Sequence, residues 1–245
     1  MTKLYRHAPI IEAVVELRTA TAVAPTKLRK ARDRLSKSYS RSEDLIEITA
    51  TGMAGGPAPK IPQSIVGHAL SSDDGVDVVH VKGTGLTMSR RAPYLGWDSF
   101  FERITAGMKD WSAAVGSCPL SRIGVRYINR LDIPWRDGSP VVEEDDYLRS
   151  GIAKLPFDHG NFVSFAMRAE ASLPGGEYSF ILQTAVATPV LIAHGALALD
   201  IDVYRQVDGA MSDDDILRHL GEMRRWKNEL FEASITDQAR ELING

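Results

Sequence analysis

Arg122-Ile123-Gly124-Val125-Arg126-Tyr127-Ile128-Asn129-Arg130-Leu131-Asp132 is the stretch whose reading decides the fold. Alternation with a period of two puts Arg122, Gly124, Arg126, Ile128, Arg130 and Asp132 on one face of a strand. Ile123, Val125, Tyr127, Asn129 and Leu131 fall on the other. The second face is the apolar one and is expected to meet the core, taking Asn129 with it. A buried Asn needs partners for both its amide and its carbonyl. A strand with one apolar and one charged face belongs to a sheet covered on one side only.

The same alternation recurs on either side. Upstream, Ile10–Arg18 reads as a strand after Pro9. Pro25 opens a helix of about fifteen residues, with Leu28, Ala31, Leu35 and Tyr39 on its apolar face. Asp44–Ala50 reads as a short strand, and Thr51–Pro62, rich in Gly and Pro, as a loop. His68–Ser71, Val76–Lys82 and Leu86–Arg90 form a meander joined by Asp73-Asp74-Gly75 and Gly83-Thr84-Gly85. Asp98 is expected to cap a helix carrying Phe101, Ile104, Met108 and Trp111. The strand 121–133 ends at Pro134 and the Arg136-Asp137-Gly138 turn.

Beyond it, Phe162–Leu173, Glu177–Ala187 and Leu191–Arg205 read as strands, the last interrupted at His194-Gly195. Ser212, with Asp215 three residues on, resembles a capping box for a helix reaching about Phe231, and Thr236 caps a final helix. Long sequential strands with helices closing each group imply an α+β fold, with antiparallel sheets and helices packed on one face. Residues 1–245 read as one unit of two similar lobes. Lobe 1, about 1–136, runs β-α-β-meander-α-β; lobe 2, about 141–245, runs β-β-β-α-α.

Composition excludes several classes. With 44% hydrophobic and 25% charged residues, the 245-residue chain is neither collagenous nor disordered. No apolar run approaches the ~20 residues of a membrane span. Met1–His7 lacks a signal-peptide core, and the single Cys118 permits no internal disulfide, so a soluble cytoplasmic protein is expected, with no membrane contact. The net charge of −3 hides an asymmetry: residues 1–41 hold ten Lys or Arg against three Asp or Glu, a balance of +7, leaving −10 for the rest. The basic residues Lys27, Lys30, Arg34 and Lys37 present either a nucleic-acid surface or a solvated helix face.

The charged face of the Arg122 strand carries the chemistry. Three guanidiniums in a row repel one another unless anions sit between them. Glu12 and Glu16, Arg168 and Glu170, and Asp200 and Asp202 lie on strand faces that can supply those anions. One outcome is a ladder of cross-strand salt bridges. The other is a polar groove that binds a nucleotide or another anion through Arg122, Arg126 and Arg130. Alternating Arg and Glu on such strands resembles the triphosphate-tunnel enzymes, but their N-terminal Glu-x-Glu-x-Lys signature is absent. Magnesium enters only under that phosphate-ligand reading, and no other cofactor is implied. No catalytic residue can be named. His7, His68, His80, His159, His194 and His219 show no metal-ligand spacing, so no metal site is expected. Tyr94-Leu95-Gly96-Trp97 is either a hydrophobic staple for the following helix or a partner-binding patch.

Four segments carry a resemblance: Ala8-Pro9-Ile10-Ile11-Glu12-Ala13-Val14, Tyr94-Leu95-Gly96-Trp97-Asp98-Ser99-Phe100, 122–134, and Phe231-Glu232-Ala233-Ser234-Ile235-Thr236-Asp237. Together they resemble a sporadically distributed family of bacterial and archaeal proteins of about this length, for which no activity is established. The resemblance implies a full-length unit, and its patchy distribution implies an accessory of a mobile-element, defence or toxin–antitoxin module. The expected function is therefore a non-enzymatic binding or interaction protein whose partner is another protein or a second copy. The alternatives are a protein or enzyme acting on a phosphate-bearing ligand, and a nucleic-acid binder using the basic helix.

Overall fold

The alternation at Arg122 governs the centre of the molecule. The computed structural model describes residues 5–48, 63–136, 142–149 and 164–245. Its strands are β1 (Ile10–Thr19), β2 (Arg41–Ile48), β3 (Gln63–Ser71), β4 (Asp77–Lys82), β5 (Gly85–Arg91), β6 (Leu120–Pro134), β7 (Ala166–Ser172), β8 (Ser179–Val186) and β9 (His194–Gly209). The helices are α1 (Pro25–Leu35), α2 (Trp97–Val115), α3 (Asp213–Ser234) and α4 (Asp237–Asn244). The fold class is α+β, as the alternation implies. The strands join in one antiparallel sheet of order β2-β3-β4-β5-β1-β6-β9-β8-β7. Each half of the chain lays its first strand beside its last, β1 against β5 and β6 against β9, and β1 and β6 pair across the middle. The sheet is open, with β2 and β7 as edges, so the described strands form no closed tunnel.

The helices cover the face that carries Ala13, Val15 and Leu17 of β1, Ile123, Val125 and Tyr127 of β6, and Leu199, Ile201 and Val203 of β9. One apolar cluster runs through both halves beneath them. Asn129 is buried with these residues and donates from Nδ2 to the Leu199 carbonyl at 3.0 Å. The two C-terminal caps form as their sequence suggests: Ser212 Oγ accepts from the Asp215 N–H, and Thr236 Oγ1 from the Ala239 N–H.

Several boundaries differ from the sequence reading. Helix α1 stops at Leu35, and a turn through Ser36–Ser38 returns Tyr39 to the same apolar face. Helix α2 starts at Trp97 with Gly96 as its N-cap, so Asp98 sits in the first turn, where its charge meets the positive end of the helix. Strand β9 is not interrupted at His194-Gly195; it begins there, because its pairing with β6 runs continuously to His194 opposite Pro134. The loop expected over Thr51–Pro62, the start of the strand expected from Phe162, and Asp137-Gly138 lie outside the described residues.

Gly85 opens β5 at a φ of 138°, a conformation that side chains rarely adopt, and a β-carbon there would overlap the Leu17 carbonyl oxygen. Gly85→Ala is therefore expected to destabilise the protein by about 3 kcal/mol, read as a lower urea midpoint, through loss of the β1–β5 closure.

Candidate functional site

The two faces of β6 lead to two concavities on opposite sides of the sheet. On the open face, a groove of about 430 Å³ is lined by Arg18, Arg122, Arg126, Glu16, Glu170 and Asp202, together with Tyr204 and uncharged neighbours. Gly124 shapes it: a β-carbon there would lie 2.8 Å from Arg122 Nη1, so the missing side chain lets the guanidinium lie across the strand. From that position Arg122 donates to Glu16 on one side and, at 2.7 Å, to Asp202 on the other. The Tyr204 ring lies beneath it, 4.5 Å from Cζ to centroid.

Arg126 makes a forked bond to Asp200, which raises the guanidinium pKa further. Arg130 does not enter the groove; it bonds Asp132 on its own strand. Glu12 shares the face within electrostatic reach of Arg126. Arg168 bonds Glu170 at 2.6 Å, and Tyr204 Oη also donates to Glu170; the two hydrogen bonds hold its carboxyl below the usual range. Burial raises the Asp202 pKa despite Arg122. Every arginine of the ladder thus has a carboxylate partner, and the lining charges cancel.

The basic N-terminal residues are partly engaged as well. Lys27 donates to the Val115 carbonyl at 2.6 Å, closing the C-terminal end of α2, and Arg34 meets Asp110 at 3.5 Å. Lys30 is exposed on α1, and Lys37 is exposed just beyond it.

On the helix side lies a second cavity, of about 850 Å³, which sequence reasoning did not find. Its walls come from the segment Tyr5–Ile10, the Tyr94–Trp97 turn, Tyr127 and Asn129 of β6, and the outer turns of α3 from Arg224 to Glu232. Tyr94 and Tyr127 pack edge to face at 5.6 Å and share a 2.7 Å hydrogen bond between their hydroxyls. Tyr94-Leu95-Gly96-Trp97 therefore forms a cavity wall as well as the entry to α2, with Leu95 exposed.

Lys227 is the anomaly. It is only 7% exposed, its Nζ stands 4.0 Å over the Tyr127 ring, and among the described residues no carboxylate lies within ion-pair distance of it. Burial, with Arg224 nearby, pushes its pKa down from 10.5 to about 7. Glu232 opposes that shift, but it is already hydrogen-bonded by Tyr5 Oη at 2.6 Å and by Arg240. In the sequence, Lys227 falls at helical spacing on one face with Ile216, Leu220, Met223 and Leu230, and that spacing is the signal for this group.

Among the described residues no group of three or more metal-ligating side chains comes together. No described helix is long and apolar enough to cross a membrane.

Two outcomes separate these sites. Arg122→Met removes the ion-pair partner of Asp202 and leaves Glu16 with Arg18 alone. It is expected to cost about 2 kcal/mol at pH 7 and less at pH 4, where Asp202, whose pKa burial raises, takes up a proton and no longer needs the pair, as read by chemical denaturation at both pH values. Lys227 has a folded pKa below its unfolded one, so the unfolded chain binds its proton more tightly. Stability is expected to rise as pH climbs from about 7 towards 10.5. Lys227→Met should raise the melting temperature at pH 6, by on the order of 2–3 kcal/mol in stability, and remove that rise.

Neither a protein-family model nor a curated protein matches the chain.

Proposed function

We propose that the chain is a binding protein that holds a small, largely apolar molecule in its helix-side cavity. One observation carries this: a cavity of about 850 Å³, walled by Pro9, Ile10, Tyr94, Trp97 and Phe231, that keeps an ionisable amine in its wall at a cost in stability. Its size falls within the ~300–1,000 Å³ of sites for drug-sized ligands, which share the pattern of apolar walls and a few polar groups. Stability surrendered at a concave site, with no packing gain to offset it, is what a functional side chain leaves behind.

The open-face groove supports a phosphate ligand less well. A phosphate there has to displace Glu16 or Asp202 from Arg122, or Asp200 from Arg126, exchanging one satisfied ion pair for another. The basic helix likewise spends Lys27 and Arg34 on α2.

Decanol is a suitable neutral probe. It is expected to quench or shift Trp97 emission, to bind with a negative heat-capacity change in calorimetry, and to bind at least tenfold more weakly to Ala8→Trp, which fills the exposed end of the lining. No binding at the solubility limit of decanol, or equal binding by the variant, removes the cavity as the site. A nucleotide or polyphosphate that raises the melting temperature of the native chain but not of Arg126→Ala moves the function to the groove.

A further inference from the structure

Lys227 sits where the apolar wall of the cavity has no need of an amine. Leu or Met would fill the same space on α3 without desolvating a charge. Its neighbours do not complete it. The Tyr127 ring offers its face at 4.0 Å, Tyr94 and Tyr127 bond each other, and Glu232 is held by Tyr5 and Arg240. Arg224 adds a second positive charge from the preceding turn, its guanidinium 5.5 Å over the Trp97 ring. The α3 side of the cavity thus carries the cations Arg224, Arg225 and Lys227 and the carboxylates Glu229 and Glu232, while the wall from Ala8–Ile10 and Leu95 is apolar.

We propose that the ligand is an amphipathic monocarboxylic acid, its carboxylate paired with the Lys227 ammonium and its hydrocarbon or aromatic body lying along the apolar wall. This rests on the cavity being the binding site and adds the chemistry of the head group. One buried ammonium balances one negative charge. A dianion with its charges at both ends would bring the second one against Tyr94, Leu95 and Ile10, away from the cations on α3. The pairing replaces the weak contact with the Tyr127 face by a charge-assisted hydrogen bond. It also favours the protonated amine, so an acid that binds above neutral pH draws a proton onto Lys227. The other titratable and charged groups around the cavity are Tyr94 and Tyr5, pushed up to about 12, Tyr127, held well above its ordinary value, and Arg224, Arg225, Glu229 and Glu232 on α3 itself. The tyrosines stay neutral where Lys227 titrates, which leaves the amine as the group in the cavity that changes charge near pH 7.

The test compares decanoate with decanol on the full chain by calorimetry at pH 6.5 and pH 8.5. Native protein is expected to bind decanoate at least tenfold more tightly than decanol at pH 6.5, and to lose about tenfold in decanoate affinity for each pH unit above 7, with little change for decanol. Lys227→Met is expected to keep or improve decanol binding while losing both the preference and its pH dependence. A circular-dichroism melt checks that this variant is folded. If decanol binds but decanoate is not preferred, or if Lys227→Met keeps the preference, the carboxylate assignment is overturned and the apolar cavity stands. If neither probe binds, both readings fall together.

Discussion

The antiparallel pairing of β1 with β6 is the contact on which the other features depend. In a strand, a slip of one residue turns every side chain to the opposite face. Here Val15 lies opposite Val125, and Val14 opposite Arg126. A slip would send three arginines under the helices and Ile123, Val125 and Tyr127 into water. The register is thus held by the hydrophobic effect on one side and by charge on the other. Because β5 is laid on β1 and β9 on β6, that single register also sets the alignment of both outer halves.

The two sides of the sheet treat charge in opposite ways. On the open face, arginines and carboxylates are interleaved, and solvent screens what the pairs do not cancel, so the ladder adds specificity of register more than net stability. On the covered face, a single amine is held away from water without a carboxylate. The first arrangement is complete in itself. The second has no carboxylate of the described residues within ion-pair distance, and the difference lies in pairing, not in the number of charges.

Much of the sheet was legible because period-two alternation is local: β1 and β6 announce their buried faces through neighbouring residues. Asn129 could be placed in the core from its parity alone. The ion pairs were legible as a requirement, since three guanidiniums on one face demand anions. Their identities were not, because Glu16 and Asp202 reach Arg122 only through the gap at Gly124, a fact of three dimensions. The same limit explains the errors at Asp98 and His194, where cap geometry and pairing with β6 override the local signals of an acidic residue before a helix and a His-Gly pair. The cavity was least visible of all. Its walls come from residues 5–10, 94–97, 127–129 and 224–232, each of which reads locally as a connection, a staple, a strand face or a helix. Periodicity puts Lys227 on the apolar face of α3, but its burial against Tyr127 without a carboxylate is visible only in three dimensions.

One wall of that cavity is the segment preceding β1, and the contacts that hold it are few. The His7 N–H donates to the Ile243 carbonyl at 3.0 Å, Tyr5 bonds Glu232 and packs edge to face on Phe231, and the Pro9 carbonyl accepts from the Arg130 N–H. Segments with so few anchors open at far lower cost than the strands beside them. Residues 5–9 are therefore expected to separate from α4 more readily than the strands separate from one another, as read by hydrogen exchange. Because that wall is tied to α4 through Ile243, a change in the last helix reaches the side of the cavity formed by Tyr5–Pro9.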